Sequence, residues 1–371
     1  MPISEFRTPG KILFGVGALE SLGKETRTLG RRAILVTGRR AMAQAGTTGR
    51  CLAILAAAGI ETAVFDRVEP EPDVTTVDRC RETLRRHAAD VVIGLGGGSA
   101  IDVAKVAAGL AREDEPTRAF HQGKRITRPG LPIIAVPSSA GTGSEMTNNG
   151  VISDHERQFK TSIRDESLVP TVALVDPAVT LSSPPRVTAT SGIDALVQAV
   201  ESYLSRFATP LTEAISLRAA EEMVRALPVV VTRGGDLELR TAAAWGSAMA
   251  GLALTNARLG VIHGMAHPVG VRFGVPHGLA CGVLLPAALE FNREAAPAKF
   301  AALARLFGGD PVAYAGGLLT ACGLPTRLTE YHLDPAAFAS MADEALPSGS
   351  TKANPRPVTK EDIIAMLHGI A

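Results

Sequence analysis

Cysteine is scarce in this sequence. The four present, Cys51, Cys80, Cys281 and Cys322, form no CxxC pair. Neither a disulfide framework nor a zinc knuckle is expected, and a reducing compartment is the simpler reading. An excess of charge of one sign is also missing: 38 Lys+Arg against 37 Asp+Glu leave a net charge of +1. With no long run of like charge, nucleic acid and anionic membranes are not expected as main partners. No apolar run reaches the roughly 18 residues of a membrane span. The opening segment MPISEFRTPGKILFG lacks the basic-then-apolar layout of a signal peptide. Internal repeats and low-complexity tails are not seen. The expectation is a soluble, cytoplasmic protein.

What remains is an ordinary globular composition, 46% hydrophobic and 20% charged over 371 residues. That length supports two domains with sizeable cores. In the first half, short apolar runs alternate with helical stretches. Residues 33–37 (AILVT), 62–65, 90–95 (DVVIGL), 132–136 (PIIAV) and 171–175 (TVALV) read as strands, and residues 49–58 and 74–87 as helices. This alternation predicts a mostly parallel sheet covered on both faces. The texture changes at Pro184-Pro185. Beyond it, residues 186–205, 210–227 and 237–256 are Ala- and Leu-rich with helical periodicity and almost no strand signal. We expect an α/β domain over residues 1–183 and an all-helical domain over 184–371.

Two loops carry phosphate chemistry. Gly94-Leu95-Gly96-Gly97-Gly98-Ser99 follows a buried strand and precedes a helix over residues 100–111. Glycines there let backbone approach a pyrophosphate, and the helix start offers N–H groups and a positive dipole end. The spacing is not the GxGxxG fingerprint, and a plain tight turn is the ordinary alternative. The second loop, Pro137-Ser138-Ser139-Ala140-Gly141-Thr142-Gly143-Ser144-Glu145, follows PIIAV and alternates hydroxyls with bare backbone. Ligands of open α/β sheets bind beyond the carboxyl ends of strands, where both loops fall.

The helical half holds a polar constellation. Asp194 and Gln198 are four residues apart, on one helix face. His263 and His267 share a face in the same way, and Pro276-His277-Gly278 follows. One carboxylate and two imidazoles suit a divalent transition metal that polarises a substrate oxygen. A lone histidine is more often a core or helix-cap residue; the clustering favours a site. Spacing alone does not bring Asp194 to the histidines.

With these residues in view, the sequence resembles the iron-containing (group III) alcohol dehydrogenase family over nearly its whole length. The resemblance rests on GGGSAIDVAK (96–105), PSSAGTGSE (137–145), DPAVTLSSPP (176–185), GIDALVQAVESY (192–203), HGMAHPVGVRFGVPHG (263–278) and NPRPVTKEDI (354–363), in that order. It implies a dehydroquinate-synthase-like fold: an α/β nucleotide-binding domain, an all-α domain and an active site in the cleft between them. It implies NAD or NADP with its pyrophosphate at Gly96, Gly97, Gly98 and Ser99 and Asp102 nearby. Ser138, Ser139, Thr142 and Lys160 match positions around the remainder of the cofactor. It further implies Fe2+ or Zn2+ held by Asp194, His263 and His277, His267 as proton relay, and a homodimer or larger assembly.

Three departures shape the expectations. Gln198 stands where relatives with four protein ligands carry histidine; its carbonyl is a weaker, harder donor. Gly38, followed by Arg39 and Arg40, stands where NAD-specific relatives tend to carry aspartate, which favours NADP or dual use. Arg258 and Arg272 replace smaller or aromatic residues and suit an anionic substrate group such as carboxylate, phosphonate or phosphate; outward-facing ion pairs are the plainer alternative. The expected activity is hydride transfer between NAD(P)H and a small aldehyde or ketone. The rivals are a dehydroquinate-synthase-like lyase using NAD transiently and a catalytically silent binding protein.

Overall fold

The computed structural model describes residues 5–371. Residues 1–4, which begin the opening segment and the expected first domain, lie outside the described residues. The chain divides into two units, Thr8–Ser183 and Pro184–Ala371, the latter joined by residues 5–7.

In Thr8–Ser183 the strands are β1 (Lys11–Phe14), β2 (Arg32–Gly38), β3 (Glu61–Val68), β4 (Val91–Gly96), β5 (Ile133–Pro137), β6 (Asn149–Asp154), β7 (Phe159–Arg164) and β8 (Val172–Val175). Six of them form a sheet in the order β1-β8-β5-β4-β2-β3, parallel throughout. The helices are α1 (Leu22–Leu29), α2 (Ala41–Gln44), α3 (Thr47–Ala57), α4 (Val74–His87), α5 (Gly98–Gly109) and α6 (Thr117–His121). Successive residues of β2 serve opposite cores. Ile34 and Val36 join Val77 and Leu84 of α4 and Val103 of α5. Ala33 and Leu35 join Leu22 of α1 and Leu55 of α3. Helices on both faces explain why β2, β4, β5 and β8 read as unbroken apolar runs. The chain steps outward from β2 to β3, then returns past β2 to β4 and on to β5. This reversal puts a ligand crevice at the carboxyl ends of β2 and β4. The antiparallel β6–β7 hairpin and the edge strand β1 add to the elements expected from the sequence.

The second unit is helical: among its described residues no strand occurs. Its helices are α7 (Pro185–Leu204), α8 (Pro210–Val230), α9 (Leu237–Ala257), α10 (Val261–Phe273), α11 (His277–Asn292), α12 (Pro297–Phe307), α13 (Pro311–Ala321), α14 (Phe338–Ala345) and α15 (Lys360–Ile370). The start of α8 is set by a capping box between Thr209 and Thr212, with Pro210 in the first turn. Helices α7, α8 and α9 pack on one another, and α11 packs on α7. From Gly192 to Leu204 every residue of α7 is buried, as a helix surrounded by others requires. Asp194, Gln198 and Glu201 are thus polar exceptions inside a core. No described helix is long and apolar enough to cross a membrane.

Candidate functional site

In the sheet unit, β4 and β5 lie side by side and parallel, so the loops leaving their carboxyl ends are neighbours. Helix α5 starts at Gly98 behind Gly97, and no side chain caps it. Its first turn therefore presents backbone N–H groups to an incoming anion. A Cβ on Gly98 would come within 2.7 Å of the Thr142 methyl, so glycine is what lets the second loop close on the first. The Ser138 amide donates to the Gly96 carbonyl at 2.9 Å, and the Ser183 hydroxyl donates to the Ser138 carbonyl at 2.9 Å. The fold thus gathers Gly96, Gly97, Gly98 and Ser99 with Ser138, Ser139 and Thr142.

At the end of β2, one strand over, Gly38 is followed by exposed Arg39 and Arg40. A Cβ on Gly38 would meet only the Val68 carbonyl, at 3.7 Å. Packing therefore does not impose glycine there.

Asp102 and Lys160 are engaged within the protein. Buried Asp102 accepts from the Ser144 hydroxyl and, at 3.0 Å, from the Val151 amide. Lys160 is ion-paired with Glu71. Beneath the loops, fully buried Lys105 donates to the Ser144 carbonyl and the Thr147 hydroxyl, each at 2.7 Å. Burial lowers its pKa to about 8 although Asp102 and Glu145 favour its charge. Burial likewise raises the Glu145 carboxyl to about 7. This polar knot ties the Ser144–Met146 turn to α5.

In the helical unit, α7, α10 and α11 bring Asp194, His263 and His277 together. Nε2 of His263 lies 3.3 Å from Oδ1 of Asp194, and Nε2 of His277 lies 3.9 Å from the same oxygen. That oxygen is buried and accepts no hydrogen bond. Two imidazoles converge on it without aligning to donate, an arrangement a shared cation explains. The close approach has a local cause: a Cβ on Gly278 would collide with the Thr190 carbonyl of α7, and one on Gly282 with Ile193. These two glycines, one turn apart, seat α11 against α7.

Two carboxylate contacts fix His263 and Asp194. Nδ1 of His263 donates to Glu201 at 2.6 Å, which turns Nε2 toward Asp194. The other oxygen of Glu201 accepts the Ile262 amide at 2.7 Å, satisfying the start of α10. Gln198 donates through its amide nitrogen to Oδ2 of Asp194 at 3.0 Å. A carboxylate only accepts, so the Gln198 nitrogen must face it, and this contact orients Asp194. Burial pushes the Asp194 carboxyl up, but His263 and His277 outweigh it and hold it below its ordinary value. Burial opposes a charged His263, yet Cys281, Asp194 and Glu201 raise its pKa well above the usual imidazole value. The pocket is built for positive charge.

Two residues here escape the sequence reading. Glu201 lies seven residues after Asp194, on the same helix face, a polar stripe that Asp194, Gln198 and Glu201 share. Cys281 lies one turn after His277, and its sulfur joins the cluster of donor atoms. His267 is half-buried with its ring centroid 5.4 Å from that of His277, at 57°. Arg258 is exposed, its guanidinium 4.5 Å over the Phe207 ring. It ends α9 at φ 64, ψ −169, a region that favours glycine; the Ser202 hydroxyl holds its carbonyl at 3.1 Å. Arg272 is ion-paired with Glu344.

Comparison with known proteins agrees over the whole length. The family model described as iron-containing alcohol dehydrogenase matches residues 9–177, and that for the C-terminal part of the same family matches residues 188–371. A 1,3-propanediol dehydrogenase of Klebsiella pneumoniae is 35% identical, covering 98% of this chain and 97% of its own. A crystal structure of a 1,3-propanediol oxidoreductase superimposes with a TM-score of 0.96 at 33% identity, over 100% of both chains. A sulfoacetaldehyde reductase of Bifidobacterium kashiwanohense, solved with NAD+, superimposes with a TM-score of 0.92 at 30% identity, over 100% of this chain and 99% of that one.

Proposed function

Since the chain belongs to the iron-containing alcohol dehydrogenase family, and is an oxidoreductase acting on CH–OH groups, we propose that it interconverts a small alcohol and its aldehyde or ketone at a divalent metal held by Asp194, His263 and His277. The observation that carries this reading is the buried, unsatisfied Oδ1 of Asp194 with two imidazole Nε2 atoms turned to it. A cation there would polarise the substrate oxygen, and NAD(P)H would supply the hydride.

The protein's own contribution is alignment. The loops at Gly96–Ser99 and Ser138–Thr142 bind the cofactor's phosphates and sugar through backbone N–H groups and hydroxyls. Gly38 leaves no carboxylate at the end of β2, and Arg39 and Arg40 add positive charge, so NADP(H) or use of both cofactors is the preferred assignment. Glu201 keeps the proton on Nδ1 of His263 and so leaves Nε2 as donor. Gln198 holds Asp194 in place. The imidazole of His267 moves the proton between substrate oxygen and solvent.

A second reading concerns substrate charge. Arg272 is neutralised by Glu344, whereas Arg258 is exposed and held in a conformation that favours glycine. Such backbone strain clusters at functional sites. Arg258 is therefore the candidate for recognising an acidic aldehyde, as a sulfoacetaldehyde reductase among the relatives must.

The test is metal analysis of the purified protein, followed by a panel of neutral and anionic aldehydes with NADH and NADPH. Aldehyde-dependent cofactor oxidation is expected. His263→Ala should lose metal and activity together; full activity in that variant overturns the proposal.

A further inference from the structure

The metal centre proposed above, on which this inference rests, has more donors than the three residues named. Cys281 sits on α11 one turn beyond His277, and its Sγ lies 3.7 Å from Nε2 of His277 and 3.8 Å from Nε2 of His263. The donor atoms of Asp194, His263, His277 and Cys281 all lie within 4.8 Å of one another. In a tetrahedral site with metal–N and metal–O bonds of about 2.0–2.2 Å and metal–S of about 2.3 Å, donors stand roughly 3.3–3.7 Å apart. Four of the six spacings, 3.3, 3.7, 3.8 and 3.9 Å, come within a few tenths of an ångström of that figure. Cys281 is fully buried, and so is the unsatisfied Oδ1 of Asp194 that faces the same point. Gln198 donates through its amide nitrogen to the other Asp194 oxygen, and its own Oε1 is buried without a hydrogen-bond partner.

We infer that Cys281 is a metal ligand, so that the centre is an Asp/His/His/Cys site suited to a borderline-soft ion such as Zn2+, which would take the substrate oxygen as a fifth ligand. On binding, the thiol proton leaves to solvent as the metal–sulfur bond forms; no oxidation or reduction takes place. The thiolate adds softness and negative charge that neither an imidazole nor the neutral Gln198 carbonyl would supply. Gln198 is then a positioning residue for Asp194.

The experiment strips the full-length protein with a chelator and titrates it with Co2+ and then Zn2+, in wild type, Cys281→Ser and Gln198→Ala. Wild type should take up Co2+ with a near-ultraviolet thiolate-to-cobalt charge-transfer band. It should also release one more proton per metal bound than Cys281→Ser, read by calorimetry in buffers of different ionisation heat. Cys281→Ser should lose the band and bind Zn2+ at least about tenfold more weakly. Gln198→Ala should keep the band. Stoichiometric metal in wild type without the band overturns the role of Cys281 and leaves the metal centre standing. No metal uptake by wild type overturns both. Should Cys281→Ser fail to fold, the wild-type spectrum decides by itself.

Discussion

Glu201 accepts a 2.6 Å hydrogen bond from Nδ1 of His263, and with its second oxygen it accepts the Ile262 amide. One carboxylate therefore caps α10 and sets the tautomer of the histidine that α10 presents. Glu201→Gln keeps the size and removes the charge. We expect metal affinity to fall about 10- to 100-fold with helix content unchanged, measured by competition with a chromophoric chelator. Wild-type affinity in the variant would remove Glu201 from the account.

Gly38→Asp should convert cofactor preference. The new carboxylate fits, since only the Val68 carbonyl is near, and it repels a 2′-phosphate. The KM for NADPH should rise about tenfold or more, roughly 1.4 kcal/mol, with little change for NADH. Parallel changes for both cofactors would show that the end of β2 does not read the 2′ position.

Arg258 carries two separable expectations. Its backbone conformation costs about 1–3 kcal/mol in a non-glycine residue, while its stacking on Phe207 contributes roughly 0.5–1 kcal/mol. Arg258→Gly should therefore be more stable than Arg258→Ala, by about 1–2 kcal/mol in urea unfolding. If Arg258 recognises an anionic substrate, Arg258→Ala raises KM for acidic aldehydes far more than for neutral ones. Equal effects on both classes refute the acidic-substrate reading.

The buried Glu145 makes the sheet unit sensitive to pH. Its pKa is raised to about 7 in the folded protein, so the folded state prefers the neutral carboxyl. The associated stability is fully present below about pH 4.5, its ordinary value, and is lost as pH rises through about 7. Glu145→Gln should flatten this fall, which amounts to at most about 3 kcal/mol. The sole tryptophan, Trp245, lies in the helical unit, so far-ultraviolet circular dichroism is the proper signal. A wild-type pH profile in the variant would exclude Glu145 as the source.

Most strands that could be read from sequence are buried on both sides, the half-exposed edge strand β3 being the exception. β2, β4, β5 and β8 stand out because neither face of these strands meets water. The β6–β7 hairpin escapes the same reading: Val151 and Thr161 are only half-buried, and its turn at His155–Gln158 contains none of the Asn-Gly or Asp-Gly signals. β1 is four residues long at a sheet edge with one residue exposed. At the candidate site, helical spacing pairs Asp194 with Gln198 and His263 with His267, yet periodicity cannot pair residues on different helices. Cys281 reads as an ordinary core residue, because a small buried thiol in an apolar helix is common. Only the meeting of α11 with α7 and α10 reveals its neighbours.

The glycines at 278 and 282 have a consequence for how the centre fills. Backbone resting on a neighbouring helix has no side-chain rotamers to adjust, so α11 can neither roll nor slide without breaking the contact. The cage is thus preorganised by packing before its ion arrives. Stripped and loaded protein should superimpose at these helices, and the ion should enter with little conformational entropy to overcome.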